Sequence, residues 1–255
     1  MKTSRLVRAG LCAAVFLFTR VLPAETAAGL MAKGDGFDKQ LKTAEALESY
    51  LAAEKLEPKN AELMVRISRQ YRHSMSDASD KSEKLRLGHL ALDYAQRAVT
   101  LGPNDSDAQL APAISYGKML SLLGSKEQVD ASPRIKQSVD RALQLNPKND
   151  TAWHVLARWN RVLADINPVK RMLAGAIYGS LPVTTYEAGE KAIQTAISIN
   201  PNRAMHYIEL GRIYAAMGRK DDAKKFLLKG TSMPNREKDD PELKQIAQDL
   251  LKKLE

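Results

Sequence analysis

Apolar residues recur along the chain at spacings of three and four, and the runs are cut at Pro and Gly. Phe37–Leu56 carries Leu41, Ala44, Leu47, Tyr50, Leu51 and Ala53 on one face, which predicts a helix there. It ends at Leu56-Glu-Pro-Lys-Asn60. That ending recurs as Leu101-Gly-Pro-Asn-Asp105, Leu145-Asn-Pro-Lys-Asn149 and Ile199-Asn-Pro-Asn202. In each, proline stops one helix, and Asn or Asp is placed to cap the next. A small residue, Ala53, Ala98, Ala142 or Ala196, stands five positions before each proline. Three positions after each proline a new helical pattern starts. Few segments alternate with period two, so the chain reads as all-helical.

Ala204–Pro234 spells out one complete helix–turn–helix unit. Tyr207, Leu210 and Tyr214 share a face, and Gly211 permits close approach of a partner helix. Gly218 closes the first helix, and Ala223 and Gly230 are small where the second helix packs. This spacing is the tetratricopeptide pattern, a repeat of about 34 residues. Pro58, Pro103, Pro147 and Pro201 are 45, 44 and 54 residues apart, so the repeat is padded. The padding falls inside each unit, near 74–83, 122–132 and 165–184. The first two stretches are polar and read as loops. In the third, Met172, Leu173, Ala176 and Ile177 have helical spacing, and Asn167-Pro168 can start a helix. This predicts a short helix packed on the fourth unit, followed by a turn at Gly179-Ser-Leu-Pro182. Pro112 should kink its helix or delay the start. Pro241–Leu254 is amphipathic and suits a terminal cap. The expected fold is an all-α right-handed solenoid of tetratricopeptide-like helix pairs over 37–254, with a C-terminal capping helix. Residues 29–36, with Gly29, Gly34 and Gly36 at either end or near it, read as a linker.

The N-terminus changes the picture of where the chain goes. Lys2, Arg5 and Arg8 precede an apolar run, Ala9–Phe18, too short to span a bilayer comfortably. Small residues follow at Ala24 and Thr26-Ala27-Ala28. Residues 1–28 therefore read as a signal peptide, and the expected location is periplasmic or secreted. A mitochondrial presequence is the rival reading, and an uncleaved anchor is a third. The formal net charge is +9. Residues 1–28 hold Lys2, Arg5, Arg8, Arg20 and Glu25, so the remaining 35 basic and 29 acidic residues give +6. That is a moderately basic helical surface, and no nucleic-acid partner is expected from it. Cys12, the only cysteine, lies in the leader, so the mature chain has no thiol chemistry.

No phosphate loop, H-E-x-x-H, G-x-S-x-G or EF-hand series is present. His73, His89, His154 and His206 stand in different repeats and read as surface or packing residues. Asn104-Asp-Ser-Asp107 reads as a cap rather than a calcium loop. Trp153 and Trp159 read as core, with ligand stacking as the alternative. No enzyme activity, metal or cofactor is expected.

Arginine gives the one signal above background. In tetratricopeptide units, positions 2, 5, 9, 12 and 13 of the first helix line the concave groove. With Ala204 as position 1, position 9 is Arg69, Ile114, Arg158 and Arg212, and position 12 is Arg72, Gly117, Arg161 and Ala215. With Lys118 and His154 nearby, Arg69, Arg72, Arg158, Arg161 and Arg212 form a candidate peptide groove. Guanidinium forks suit carboxylates, which points to an acidic or extended protein segment as partner. The alternative is that Arg69, Arg158 and Arg212 pair with acids such as Glu62, Glu187 or Glu209 and hold the stack together.

Trp153-His-Val-Leu-Ala-Arg-Trp159, the insertion with Ala176-Ile-Tyr-Gly-Ser-Leu-Pro182, then Tyr186–Pro201 and Leu210-Gly-Arg-Ile-Tyr214 form a specific combination. It resembles the regulator of microtubule dynamics family over about residues 37–254, most strongly over 150–254. Ala157 stands where that family usually has Gly. The resemblance implies a helical binding scaffold, with eukaryotic members associated with microtubules and mitochondrial contacts. Signal-peptide-bearing bacterial sequences of this type also exist, and this chain is expected to be one. The main expectation is a non-catalytic interaction scaffold. The alternative is a structural or regulatory subunit touching a membrane or large assembly. Membrane contact is expected only through the N-terminal segment or the 165–184 insertion.

Overall fold

The computed structural model describes residues 25–255, and among these every regular element is a helix. The leader expected at 1–28 lies outside the described residues except for its last four positions. Helices pair in chain order. α1 (Ala27–Lys39) packs on α2 (Thr43–Leu56), α3 (Ala61–Asp77) on α4 (Lys81–Leu101), and α5 (Ser106–Met119) on α6 (Ser125–Leu145). α7 (Asp150–Ala164) packs on α9 (Tyr186–Ile199), with α8 (Pro168–Tyr178) between them in sequence. α10 (Ala204–Ala216) packs on α11 (Lys220–Ser232), and α12 (Asp240–Lys253) covers both. The result is a helical solenoid of five pairs and a cap. Successive first helices α3, α5, α7 and α10 touch one another and form one wall.

The recurring alanines carry the stack. Ala53, Ala98, Ala142 and Ala196 are fully buried, and each carbonyl accepts the backbone N–H four residues on, at Glu57, Gly102, Asn146 and Asn200. Asn60, Asp105 and Asn149 cap the following helices through their side chains, as their positions predict. α10 differs: it follows Arg203, which makes no side-chain cap. Gly218 has φ +75, which suits glycine at a helix end. A Cβ on Gly211 would lie 2.6 Å from Leu227 Cγ, so only glycine lets α10 and α11 approach this closely. Trp153 and Trp159 both pack against the core, and their indole N–H groups donate to the carbonyls of Pro147 and Ser132.

Four expectations are corrected. The linker placed at 29–36 lies within α1, capped by Thr26, and α1 makes the first pair with α2. The single helix expected over Phe37–Leu56 breaks at residues 40–42, where Leu41 takes φ 59. The loops expected near 74–83 and 122–132 are mostly helix: α3 runs to Asp77, and α4 and α6 are each 21 residues long. The padding there is added helical turns. Pro112 does not delay its helix, which starts at Ser106 and runs through it.

The insertion helix α8 does form, with Asn167 capping it and Pro168 at its start. It packs against α6 of the third pair and reaches the fourth unit through Arg171. Arg171 ties it down by donating to the carbonyls of Leu163, Leu181 and Pro182. Val169, Met172, Leu173, Ala176 and Ile177 all face solvent.

Candidate functional site

The wall of first helices carries the cations that the register predicts, but it uses them unequally. At the α7–α10 end, Arg161 Nε donates to Glu209 Oε1 at 2.5 Å, and Arg212 Nη1 to Glu209 Oε2 at 3.2 Å. Glu209 is almost fully buried. Burial works to raise its carboxyl, but Arg161 and Arg212 outweigh this and hold it below the usual carboxylate range. Burial pushes Arg212 down, and Glu209 opposes that. Glu209 is thus an acid that Arg212 meets, one of the pairings the alternative reading names, and Arg161 shares it. Arg69 pairs with Asp38 at 3.3 Å, while Glu62 pairs with Arg66 instead.

His154 does not line an open groove. It is buried, with Nδ1 at 3.2 Å from Nδ1 of His206. His206 Nε2 lies 2.9 Å from Asp150 Oδ2, which also accepts from Arg203 at 2.8 Å. With Asp150 ionised, His206 donates to it through Nε2, which in the neutral ring leaves Nδ1 to accept from His154. Burial pushes both histidines below the ordinary imidazole value, and for His154 a charge on His206 would push the same way. Burial opposes the ionisation of Asp150, but hydrogen bonds from His206 and Arg203 hold its carboxyl at about 2.

At the α3–α5 end the chemistry differs. Arg72 is buried and donates through Nη1 to Ser68 Oγ at 2.8 Å and Ser115 Oγ at 3.3 Å. Those hydroxyls give their own protons to the carbonyls of Ala91 and Ala111, so their oxygens are free to accept. No carboxylate lies within ion-pair distance of Arg72 among the described residues. Burial, then Arg69, pushes its guanidinium down to about 9, so it stays cationic at neutral pH. Arg158 likewise holds no carboxylate among the described residues and donates to the Gly117 carbonyl at 3.3 Å. Lys118 is met by Asp239 at the N-cap of α12 and by Glu242 in its first turn, each at 3.0 Å. No group of His, Cys, Asp and Glu among the described residues is arranged to hold a metal ion.

A family model described as Regulator of microtubule dynamics protein 1-3 matches residues 30–255. The chain belongs to this family. Regulator of microtubule dynamics protein 1 of Mus musculus is 28% identical over 198 residues, covering 76% of this chain and 65% of that protein. The protein of the same name from Caenorhabditis elegans is 24% identical over 181 residues, covering 71% and 80%. The chain spans 62–65% of the length of the mouse, cattle and orangutan relatives it matches. Among solved structures, a thermophilic TPR protein of Thermus thermophilus aligns with a TM-score of 0.61 at 14% identity, over 89% of this chain and 99% of that one. That likeness bears on the fold alone.

In this family member, two features of the wall escaped the sequence reading. One is the His154–His206 pair. The two are 52 positions apart, against 54 for the flanking prolines, so they occupy nearly equivalent places in adjacent units. That near-match was the available signal. The other is the acidic segment at Lys118, which belongs to no repeat and has no register.

Proposed function

We propose that the protein is a non-catalytic interaction scaffold whose cationic wall takes an acidic, extended segment of a partner protein. The observation that supports this reading is that Arg72 and Arg158 have no carboxylate within ion-pair distance among the described residues, while Arg161 and Arg212 share one. Arg72 is buried without an ion-pair partner, which costs desolvation, and a carboxylate arriving on the wall offsets that cost. The test uses a fluorescent ten-residue glutamate peptide and the full chain. Binding should weaken steeply between 50 and 300 mM salt (roughly the range in which the Debye length falls from about 14 to 6 Å). Arg158→Gln should weaken binding at least about fivefold with an unchanged melting midpoint, as for loss of one charge-assisted hydrogen bond. Equal binding by Arg158→Gln and parent would overturn the reading.

A second reading is favoured by α8. Its residues at 169, 172, 173, 176 and 177 form an apolar stripe that faces solvent instead of the core. Lys170 is exposed beside it, and residues 166–186 contain no acid. This is the chemistry of an interfacial contact with an anionic membrane surface. Sedimentation with phosphatidylserine-containing vesicles, lost in Leu173→Asp with Ile177→Asp, tests it. Failure of the parent to sediment would discard it.

Export is proposed on the basic-then-apolar leader. Cleavage after Ala24 would leave intact the Thr26 cap of α1, whose hydroxyl accepts from Gly29 N–H at 3.1 Å. N-terminal sequencing should then begin at Glu25, and an intact Met1 on cytosolic protein would count against export. An exported chain does not meet tubulin, so its acidic partner lies in the compartment it reaches.

A further inference from the structure

The segment between α11 and α12 returns to the wall from the far end of the stack. Asp239 Oδ1 accepts from Ser76 Oγ at 2.9 Å and from Lys118 Nζ at 3.0 Å, bridging to α3 and α5. Glu242 adds a second carboxylate to Lys118 at 3.0 Å. Lys238 pairs with Asp77 at 2.8 Å, and Glu237 with Arg203 at 3.2 Å. Ser76 and Asp239 are 163 positions apart in sequence. This strap thus spans from the second helix pair to the fifth.

The strap is shaped before it docks. Asp240 is buried, and its Oδ2 accepts the backbone N–H groups of Arg236 at 2.7 Å and Glu237 at 2.9 Å. Lys244 holds the other side of the turn through the Met233 carbonyl and Asn235 Oδ1. Asp239 stands at the N-cap of α12, where an aspartate ordinarily accepts from its own helix. Here it makes no such bond. Its carboxylate is given to the wall instead. Behind the two donors lie Arg72 and His73, which both feel the Asp239 charge. A hydroxyl donor and an ammonium make a site for one carboxylate, and Asp239 fills it.

We propose that Ser76 and Lys118 form a carboxylate-recognition pocket of the peptide groove, and that the 233–242 strap is its built-in occupant, which an Asp or Glu of the partner segment must displace. This rests on the groove reading above. A tethered occupant competes at a high effective concentration. Apparent affinity is lowered by the fraction of time the pocket is free. A strap seated nine-tenths of the time weakens an external peptide about tenfold by that relation.

The same ten-glutamate peptide tests the pocket in the full chain. Asp239→Ala with Glu242→Ala should bind it at least about tenfold more tightly than the parent, by the relation just given. A second variant holds the strap down: Ser76→Cys with Asp239→Cys in a Cys12→Ser background. Oxidised, it should bind the peptide at least about tenfold more weakly than the same protein reduced. The comparison is internal to one folded variant, so it decides the matter even if the alanine pair is unstable. Equal binding by the oxidised and reduced forms, with the parent also binding, overturns the strap and leaves the groove standing. No binding by parent, alanine pair or reduced form overturns the groove reading itself.

Discussion

The two ends of the cationic wall use the same residue types for different ends. Between α7 and α10, two arginines close on one buried carboxylate contributed by the repeat itself, Glu209. Between α3 and α5, Arg72 rests on hydroxyls, and Lys118 is answered by Asp239 and Glu242 from outside the repeats. One end is complete when its helices have packed. The other is completed by a segment that belongs to no repeat. An arginine at a given register position therefore says nothing alone about recognition. What separates the two cases is where the acid comes from, a neighbouring repeat helix or a strap outside the repeats.

The largest effect should come from breaking the closed end. Glu209→Ala leaves Arg161 and Arg212 without their carboxylate, and Arg161 is buried as well. Loss of one partner from a buried pair costs about 3–5 kcal/mol. Urea titration should show that loss, whereas Asp239→Ala at the open end should cost no more than about 1 kcal/mol, as for a partly exposed pair. Similar losses from the two substitutions would erase the distinction.

Next is Gly211→Leu, also at the closed end. Its side chain would enter space held by Leu227, and overpacking of this kind costs about 1–3 kcal/mol. An unchanged melting midpoint would show that this end is looser than its packing indicates.

Acid should separate the ends by pH window. The neutral His154–His206 pair binds protons less readily folded than unfolded. Its stability contribution is whole above the ordinary imidazole value of about 6.5 and is lost as pH falls below it. His73, at the open end, behaves alike, with its folded value at about 4. His206→Asn should flatten the decline in urea midpoint between pH 7 and 5 by more than His73→Asn does, because two coupled rings are involved. The carboxylates Asp150, Glu209 and Asp239 are held low in the fold, so their contributions disappear only at lower pH. An unchanged slope in His206→Asn would show that the pair contributes nothing. The smallest effect is expected for Lys118→Ala on stability, within about 1 kcal/mol for a solvent-screened pair.

Much of the stack was legible because its rules are local. Alanine five residues before each proline marks a helix that ends under its neighbour, and each of the four is fully buried. Gly211 and Gly218 announce a close approach and a helix end, and both are found. The failures have physical reasons. Gly34 suggested a linker, but a Cβ there would lie 2.5 Å from the Tyr50 ring, so this glycine serves packing within α1. Ser74–Ser82 is polar and suggested a loop, but a long helix with one face in water is also polar. For the wall, the register found the cations, and Glu209 was among the acids weighed. It did not find Asp239, because the strap has no repeat position, nor the histidine pair, because their contact depends on side-chain direction between units.

The strap also bears on the order in which the chain assembles. Each helix pair leans on its sequence neighbours, so the stack can form from short-range contacts as the chain is made, N-terminus first. The bonds from Asp239 to Ser76 and Lys118 must wait until the five helix pairs that precede Asp239 have been synthesised. A long-range closure of this kind is slower than local helix pairing. Until it happens, the growing chain presents five packed helix pairs with Ser76 and Lys118 unanswered, so a pocket for carboxylates exists before its own occupant does.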